Sequence, residues 1–223
     1  MLPNAALPGG RNLSDYKISR TEQMGAVILA GGDSKRLGQP KALLDFRGKT
    51  LIELMVDHLG LYFDQITVVT DRPDAYCHLP VKLTEDIIVN EHKSPLRGIH
   101  AGLNASDLPC QFVAACDMPF LNLDLIHYMA GFAAAYDAVV PRIGEHYQPL
   151  HAFYSRNCIE IIERQVNLGY FKVTDFYKHL KIRFITLDEI RRFDPGQESF
   201  ININRWSDYE YALEVFANRM RTG

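Results

Sequence analysis

The sequence predicts a single-domain α/β protein of three layers, with helices on both faces of a mostly parallel sheet. Short apolar or β-branched segments alternate along the chain with segments whose apolar residues recur at helical spacing. The 223 residues are enough for one substantial domain, whereas two full domains would be crowded. No repeat or linker interrupts the pattern, so we expect one domain over residues 24–223, after a poorly ordered extension at residues 1–23.

The predicted elements follow one another in a regular order. The first strand is expected at residues 26–30, where an apolar run ends in glycines. Further strands are expected at residues 65–70, 81–84, 111–116, 138–141, 149–154 and 182–186. Helices are expected at residues 50–60, 96–104, 123–135, 158–166, 173–180 and 206–219. Ligands in such folds bind at the carboxyl ends of the strands, which here precede the loops after Ala30 and Cys116.

Composition excludes several classes of function. The formal net charge is −3 and no long run of lysine or arginine is present, which argues against nucleic-acid binding. No stretch approaches the roughly 20 apolar residues needed to cross a bilayer, so we expect no membrane partner. The four cysteines form no C-x-x-C pair, which argues against a structural zinc site. Cys116 lies in an apolar run, as expected of a small buried residue in a reducing compartment, and we expect a cytoplasmic location.

A glycine-rich loop follows the first predicted strand. Residues 29–41 read L-A-G-G-D-S-K-R-L-G-Q-P-K. Glycines allow backbone N–H groups to approach an anionic ligand closely, and Lys35, Arg36 and Lys41 concentrate positive charge nearby. A triphosphate requires both features. The loop lacks the Gly-Lys-Ser/Thr of a P-loop and is not G-x-G-x-x-G, and a surface turn with solvated charges is the alternative interpretation.

A carboxylate ends the predicted strand at residues 111–116. The segment 111–121 reads Q-F-V-A-A-C-D-M-P-F-L, so apolar residues deliver Asp117 to the strand end and Pro119 stops regular structure. Mg²⁺ prefers oxygen ligands and is often held by one or two carboxylates together with substrate phosphates. Asp117 is therefore our candidate metal ligand, and a helix N-cap is the alternative role.

These two segments resemble the signature motifs of the nucleotidyltransferases with a dinucleotide-binding-like α/β fold. L-A-G-G in the loop and C-D-M-P after the strand resemble the molybdenum cofactor guanylyltransferase (MobA-like NTP transferase) family more than its cytidylyltransferase relatives. Further similar segments occur in the same order: T-E-D at 84–86, S-P-L-R-G at 94–98, P-L-H-A-F-Y at 149–154 and F-I-N-I-N at 200–204. The similarity therefore extends from about residue 24 to the end of the chain.

The resemblance implies a reaction and a set of site residues. GMP would be transferred from GTP to the terminal phosphate of molybdopterin, releasing pyrophosphate, with Mg²⁺ as cofactor. The nucleotide-binding residues would be Leu29, Ala30, Gly31, Gly32, Lys41, Asp86 and Asp117. Lys41, Arg36 and Asp117 would be catalytic, whereas Asn202 and Asn204 would share a strand face and hold the acceptor. Cofactor-biosynthesis and molybdoenzyme-loading proteins are the partners that the family suggests.

Three departures from the family pattern keep alternatives open. Ser94 replaces the usual glycine of the G-P-L turn, and Thr70-Asp71 stands where some members have asparagine. Asn204 occupies a position where sugar and cytidylyl relatives often carry an aspartate as a second metal ligand. A sibling cytidylyltransferase or sugar-phosphate nucleotidylyltransferase is the first alternative. A nucleotide-binding regulatory module without catalytic activity is the second, although it would be expected to lack Lys41, Arg36 or Asp117.

Overall fold

A computed structural model describes the backbone of residues 24–31, 37–88 and 94–222 and the side chains of these ranges up to residue 218. The predicted extension at residues 1–23 lies outside the described residues. The strands are β1 Met24–Leu29, β2 Asp45–Phe46, β3 Lys49–Thr50, β4 Ile66–Val69, β5 Lys82–Thr84, β6 Cys110–Ala115, β7 Ala138–Ile143, β8 His146–Tyr147, β9 His151–Ser155 and β10 Ile182–Ile185. The α-helices are α1 Leu51–Leu59, α2 Pro95–Asn104, α3 Leu123–Ala133, α4 Cys158–Asn167, α5 Leu187–Arg191 and α6 Trp206–Thr222.

The main sheet has the strand order β10-β7-β9-β6-β1-β4-β5, and β8 pairs with β7. Neighbouring strands are parallel except that β9 runs antiparallel to β6 and β7, and β8 antiparallel to β7. Strand β1 is central, with β6 on one side and β4 on the other. The prediction of a mostly parallel sheet is confirmed, and the carboxyl ends of β1, β4, β5 and β6 meet at one edge.

Helices cover both faces of this sheet, because successive apolar side chains of β1 point to opposite faces and both must be buried. Ala26 and Ile28 pack with α1 and α3 on one face, whereas Val27 packs with α2 and α4 on the other. Because β1 is buried on both faces, it appears in the sequence as a continuous apolar run. Helix α6 instead packs at the edge of the sheet against a third cluster that includes Phe46 and Ile203.

Local capping explains where the helices that flank the functional edge begin. Thr50 and Glu53 form a reciprocal capping box at the start of α1. The hydroxyl of Ser94 accepts the N–H of Leu96 at 3.1 Å, so Ser94 is the N-cap of α2. The same hydroxyl donates to the carbonyl of Phe171. The serine that departs from the family's glycine therefore fixes the turn before α2.

Helix α2 approaches β1 unusually closely because two glycines face the strand. A Cβ built on Gly98 would lie 3.1 Å from Cδ2 of Leu29, and one built on Gly102 would lie 2.4 Å from Cγ1 of Val27. Carbon atoms in van der Waals contact are separated by about 3.5–4.0 Å. The glycines therefore allow α2 to pack against the strand that leads into the glycine-rich loop.

Substitution of Gly102 by alanine is expected to destabilise the protein by about 1–3 kcal/mol, because the new methyl group would overlap the buried Val27. The gain in helix propensity of about 1 kcal/mol opposes this cost without removing the overlap. Gly131→Ala is the matched control, since Gly131 lies on α3 with no atom near a built Cβ. Urea unfolding should show a loss for Gly102→Ala and a gain for Gly131→Ala, and equal gains would contradict the packing argument.

Several predicted elements differ from the structure. The segment predicted as a helix at 173–180 is a 3₁₀ helix, Val173–His179. The strand predicted from residue 149 begins at His151, because the preceding residues form a turn in which the N–H of His151 bonds to the carbonyl of Gln148. The short elements β2, β3, β8 and α5 were not predicted. Among residues 24–31, 37–88 and 94–222, no helix is long and apolar enough to cross a membrane.

Candidate active site

A cleft of about 600 Å³ opens at the carboxyl ends of the parallel strands. Its walls come from the ends of β1, β4, β5 and β6, from the start of α2 and from the segment before α6. The predicted site residues that line it are Leu29, Ala30, Gly31, Lys41, Asp86, Asp117, Asn202 and Asn204. Predicted site residues Gly32 and Arg36 lie outside the described residues. The fold therefore gathers the predicted site residues that it describes into one cleft.

Lys41 is the central cation of one end of the cleft. Its Nζ donates to Oδ2 of Asp117 at 2.8 Å and to Oδ1 of Asn204 at 2.8 Å. The side chains of Lys41 and Asp117 are 20% and 18% exposed, so the ion pair is shielded from solvent but reachable from the cleft. We call Lys41, Asp117 and Asn204 the lysine end. The lysine holds the carboxylate and the amide together, although we predicted the metal as the ligand of Asp117 and the acceptor as the ligand of Asn204.

The backbone fixes Asp117 and the asparagine segment relative to each other. Asp117 follows β6, and its carbonyl accepts the N–H of Ile203 at 2.9 Å. Ile203 is buried beside α6, while Asn202 and Asn204 line the cleft. Both asparagines thus lie at the same cleft, but the strand predicted for them is wrong because residues 201–204 form no ladder. The N-cap interpretation of Asp117 is also wrong, since Asn122 caps α3.

The unused oxygen of Asp117 fits a divalent cation. Its Oδ1 is buried and has no hydrogen-bond partner in the described structure, whereas Oδ2 accepts from Lys41. A buried carboxylate oxygen without a donor is costly unless a ligand completes it. The described residues contain no group of three or more His, Cys, Asp or Glu side chains that could hold a metal ion by themselves. A cation here would thus have one protein carboxylate and take its other ligands from substrate oxygens and water.

The opposite end of the cleft is acidic. Asp71, Glu85 and Asp86 line it after β4 and β5, and we call these residues the acidic end. Nη2 of Arg97 lies 3.2 Å from Oδ2 of Asp86. Burial raises the pKa of the Asp86 carboxyl and Asp71 raises it further, whereas Arg97 lowers it. Asp86 therefore forms an ion pair with Arg97 at the wall of the cleft.

Two side chains near the cleft that could in principle act as a nucleophile or a base, Cys116 and His151, are neutral and buried. Burial raises the pKa of the Cys116 thiol to about 12, so a thiolate is scarce at neutral pH. Burial lowers the pKa of His151 to about 3, and its ring packs against Phe112 and Phe200. His151 is a core residue that remains uncharged. The site consequently supplies charge and hydrogen bonds and offers no covalent catalyst among these groups.

Sequence reasoning missed two features of the cleft. The Arg97–Asp86 pair was missed although S-P-L-R-G and T-E-D had both been recognised, because no pattern indicates that they meet. The bond between Lys41 and Asn204 joins residues 163 positions apart. Lys41 and Asn204 belong to two motifs of one family, and motifs that bind a common ligand lie close together. That was the available signal that these two residues could meet.

Comparison with known proteins identifies the family to which the chain is similar. The family described as "MobA-like NTP transferase domain" matches residues 26–181. A probable molybdenum cofactor guanylyltransferase from Peptoclostridium acidaminophilum is 38% identical over 197 residues, covering 85% of this chain and 88% of that protein. A molybdenum cofactor guanylyltransferase from Syntrophotalea carbinolica is 35% identical over 187 residues, covering 83% and 88%.

A solved structure is similar over nearly the same length. It is the molybdopterin-guanine dinucleotide biosynthesis protein A from Archaeoglobus fulgidus, with a TM-score of 0.76 and 27% sequence identity. The match covers 87% of this chain and 100% of that one. The α/β architecture is therefore shared along the whole of that chain.

Proposed function

The chain belongs to the MobA-like NTP transferase family, and we propose that it transfers GMP from GTP to the terminal phosphate of molybdopterin, releasing pyrophosphate. The observation that carries this proposal is the lysine end of the cleft. There Lys41 brings together Asp117 and Asn204 at the carboxyl ends of parallel strands. The ammonium can bind a nucleotide phosphate, the carboxylate can bind a cation, and the amide can bind a second polar substrate.

The reaction requires positioning and charge neutralisation more than covalent chemistry. A terminal phosphate oxygen of molybdopterin attacks the α-phosphorus of GTP, and the bond from that phosphorus to pyrophosphate breaks. The acceptor is already an anion, so no general base is needed. Lys41 neutralises charge on the phosphates, the backbone at Leu29, Ala30 and Gly31 approaches them, and Asn202 and Asn204 orient the acceptor. Arg36 and Gly32 are assigned to the phosphates by the motif alone.

We propose Mg²⁺ as the cation, with Asp117 as its protein ligand. The buried, unpaired Oδ1 of Asp117 supports a cation at this point, and nucleotide phosphates would complete its coordination. When bound, the ion supplies neutralisation of negative charge on the phosphates that are being transferred and released. Oδ1 of Asn204 already accepts a hydrogen bond from Lys41, so we assign the ion to Asp117 alone and keep Asn204 for the acceptor.

The acidic end supports guanine as the base. A triphosphate is repelled by Asp71, Glu85 and Asp86, so the nucleotide is expected to place its phosphates at the lysine end and its base at the acidic end. Guanine carries adjacent N–H donors at N1 and the 2-amino group, which one carboxylate can accept together. Cytosine presents acceptors at the corresponding positions. Asp86 is therefore our proposed base contact, and the cytidylyltransferase alternative is disfavoured.

A nucleotide panel tests the proposal. Purified protein with Mg²⁺ and molybdopterin should release pyrophosphate with GTP at a kcat/KM at least about 100-fold above CTP, ATP or UTP. Mass spectrometry should identify a guanine dinucleotide, and omission of molybdopterin should stop the release. Preference for CTP would indicate the sibling cytidylyltransferase. GTP binding without pyrophosphate release would favour a regulatory module, and release with a sugar phosphate in place of molybdopterin would change the acceptor.

The remaining assignments follow from the proposed reaction. We propose that the nucleotidyltransferase domain spans residues 24–223, of which residues 26–181 match the family. Cytoplasmic location, independence from nucleic acid and membranes, and transient contacts with proteins that load molybdoenzymes stay predictions.

A further inference from the structure

Arg97 occupies the variable position of the S-P-L-R-G turn and faces the acidic end of the cleft. Its guanidinium Nη2 lies 3.2 Å from Oδ2 of Asp86, and the two side chains are 11% and 37% exposed. Both residues line the cleft. The pair therefore presents N–H donors directly beside carboxylate acceptors to whatever binds at this end.

We propose that Arg97 and Asp86 act as one unit that reads the Watson–Crick edge of guanine. Arg97 donates to the O6 atom of the base, and Asp86 accepts from N1–H and the 2-amino group. This inference rests on the proposed function, because it requires a guanine nucleotide with its base at the acidic end. It goes further by making Arg97 a specificity-determining residue.

The order of donors and acceptors explains the selectivity. Guanine presents one acceptor followed by two N–H donors, and the Arg97–Asp86 pair offers one donor group followed by two acceptor oxygens. Cytosine presents the reverse order, an N–H donor followed by two acceptors. Its acceptors would face the carboxylate and its donor would face the guanidinium. A site of hydrogen-bonding groups rejects such a base because its buried polar groups are left unpaired.

The fold fixes the backbone of Arg97 at the start of α2. The N–H of Arg97 donates to the carbonyl of Ser94 at 3.1 Å in the first turn of α2, which Ser94 caps. The next residue, Gly98, packs against Leu29 in the glycine-rich loop. Arg97 is thereby fixed to the element that approaches the phosphates, so base and phosphate contacts share one rigid support.

Asp86 needs a cationic partner to remain an acceptor. Burial raises the pKa of the Asp86 carboxyl, and Asp71 raises it further, whereas Arg97 and His100 lower it. Arg97 is a direct cationic neighbour of the carboxylate, and it offsets the repulsion from Asp71. The arginine accordingly has two effects: it favours the ionised form of Asp86 against the effects of burial and Asp71, and it supplies the donor for O6.

Two guanine nucleotide analogues separate the two contacts. In 6-thio-GTP a sulfur atom, which is a weak acceptor, replaces O6, whereas ITP lacks only the 2-amino group. Affinities for the full-length protein with Mg²⁺ can be measured by calorimetry without molybdopterin. We expect the unmodified protein to bind 6-thio-GTP and ITP each roughly 10- to 100-fold more weakly than GTP, as expected for lost hydrogen bonds to charged groups.

Substitution of Arg97 should abolish one preference and leave the other. Arg97→Met should bind GTP more weakly and no longer distinguish GTP from 6-thio-GTP, while its preference for GTP over ITP persists. Arg97→Lys should restore part of the lost preference because it retains a cationic donor. Arg156→Met is the control, since Arg156 pairs with Asp107 outside the cleft and should leave all three affinities unchanged.

Each result decides a different claim. If Arg97→Met still prefers GTP over 6-thio-GTP, the assignment of Arg97 is wrong while the proposed function stands. If the unmodified protein binds CTP as tightly as GTP, the proposed function itself is wrong. Equal affinities of the unmodified protein for GTP and 6-thio-GTP would overturn the inference even if Arg97→Met failed to fold.

Discussion

Substitution of Lys41 by alanine is expected to lower turnover by about 100- to 1,000-fold, the loss typical when one preorganised donor to developing charge is removed. GTP binding should weaken by a smaller factor, because the backbone and the base contacts are retained. The physical reason is the position of Nζ, which bonds to both Asp117 and Asn204. Without the ammonium, the phosphates lose a cation and the two neighbouring side chains lose their common support.

Steady-state kinetics and equilibrium binding distinguish this role from a general one. Lys49→Ala is the matched control, because Lys49 pairs with Asp57 on the surface and lies outside the cleft. It should leave both turnover and GTP affinity unchanged. An increase in KM with unchanged kcat for Lys41→Ala would mean that the lysine contributes equally to ground state and transition state, contrary to the proposed role.

The elements of the fold were predictable where a periodic pattern was long. The apolar run that became β1 and the spacing that became α1 gave both elements to within two residues. The topology added the placement of Asp117 and the glycine-rich loop at one edge, since parallel strands have their carboxyl ends together. Short elements such as β8 carry too few residues to show a period, and they form only because a neighbouring strand pairs with them.

The site was less predictable because its contacts join distant segments. Asn202 and Asn204 appeared to lie on a strand, but the segment follows the path set by Ile203, which bonds to Asp117 and packs beside α6. The Arg97–Asp86 pair depends on the height of α2 above the sheet, which the glycines facing β1 determine. Spacing along the sequence indicates neither the path of residues 201–204 nor the distance between α2 and the sheet.

Substitution of Asp117 by asparagine is expected to abolish turnover that depends on a divalent cation, with a loss of at least about 100-fold. Asparagine keeps the shape of the side chain and can still accept a hydrogen bond from Lys41, so the fold of the lysine end is retained. The change removes the negative charge and replaces one carboxylate oxygen by an amide nitrogen. Oδ1 of Asp117 is buried and accepts no hydrogen bond from any described residue, and it is the atom that we assign to the cation. The substitution therefore weakens the binding of the cation.

Binding of Mn²⁺ in the presence of GTP, followed by electron paramagnetic resonance, gives a readout that does not depend on turnover. The unmodified protein should bind the ion in its GTP complex, and Asp117→Asn should bind it much more weakly at equal GTP occupancy. Asp107→Asn makes the same chemical change at a fully exposed carboxylate outside the cleft and should behave as the unmodified protein. If Asp117→Asn retained both Mn²⁺ affinity and turnover, the cation would have to bind elsewhere, and Asp117 would lose its proposed role as metal ligand.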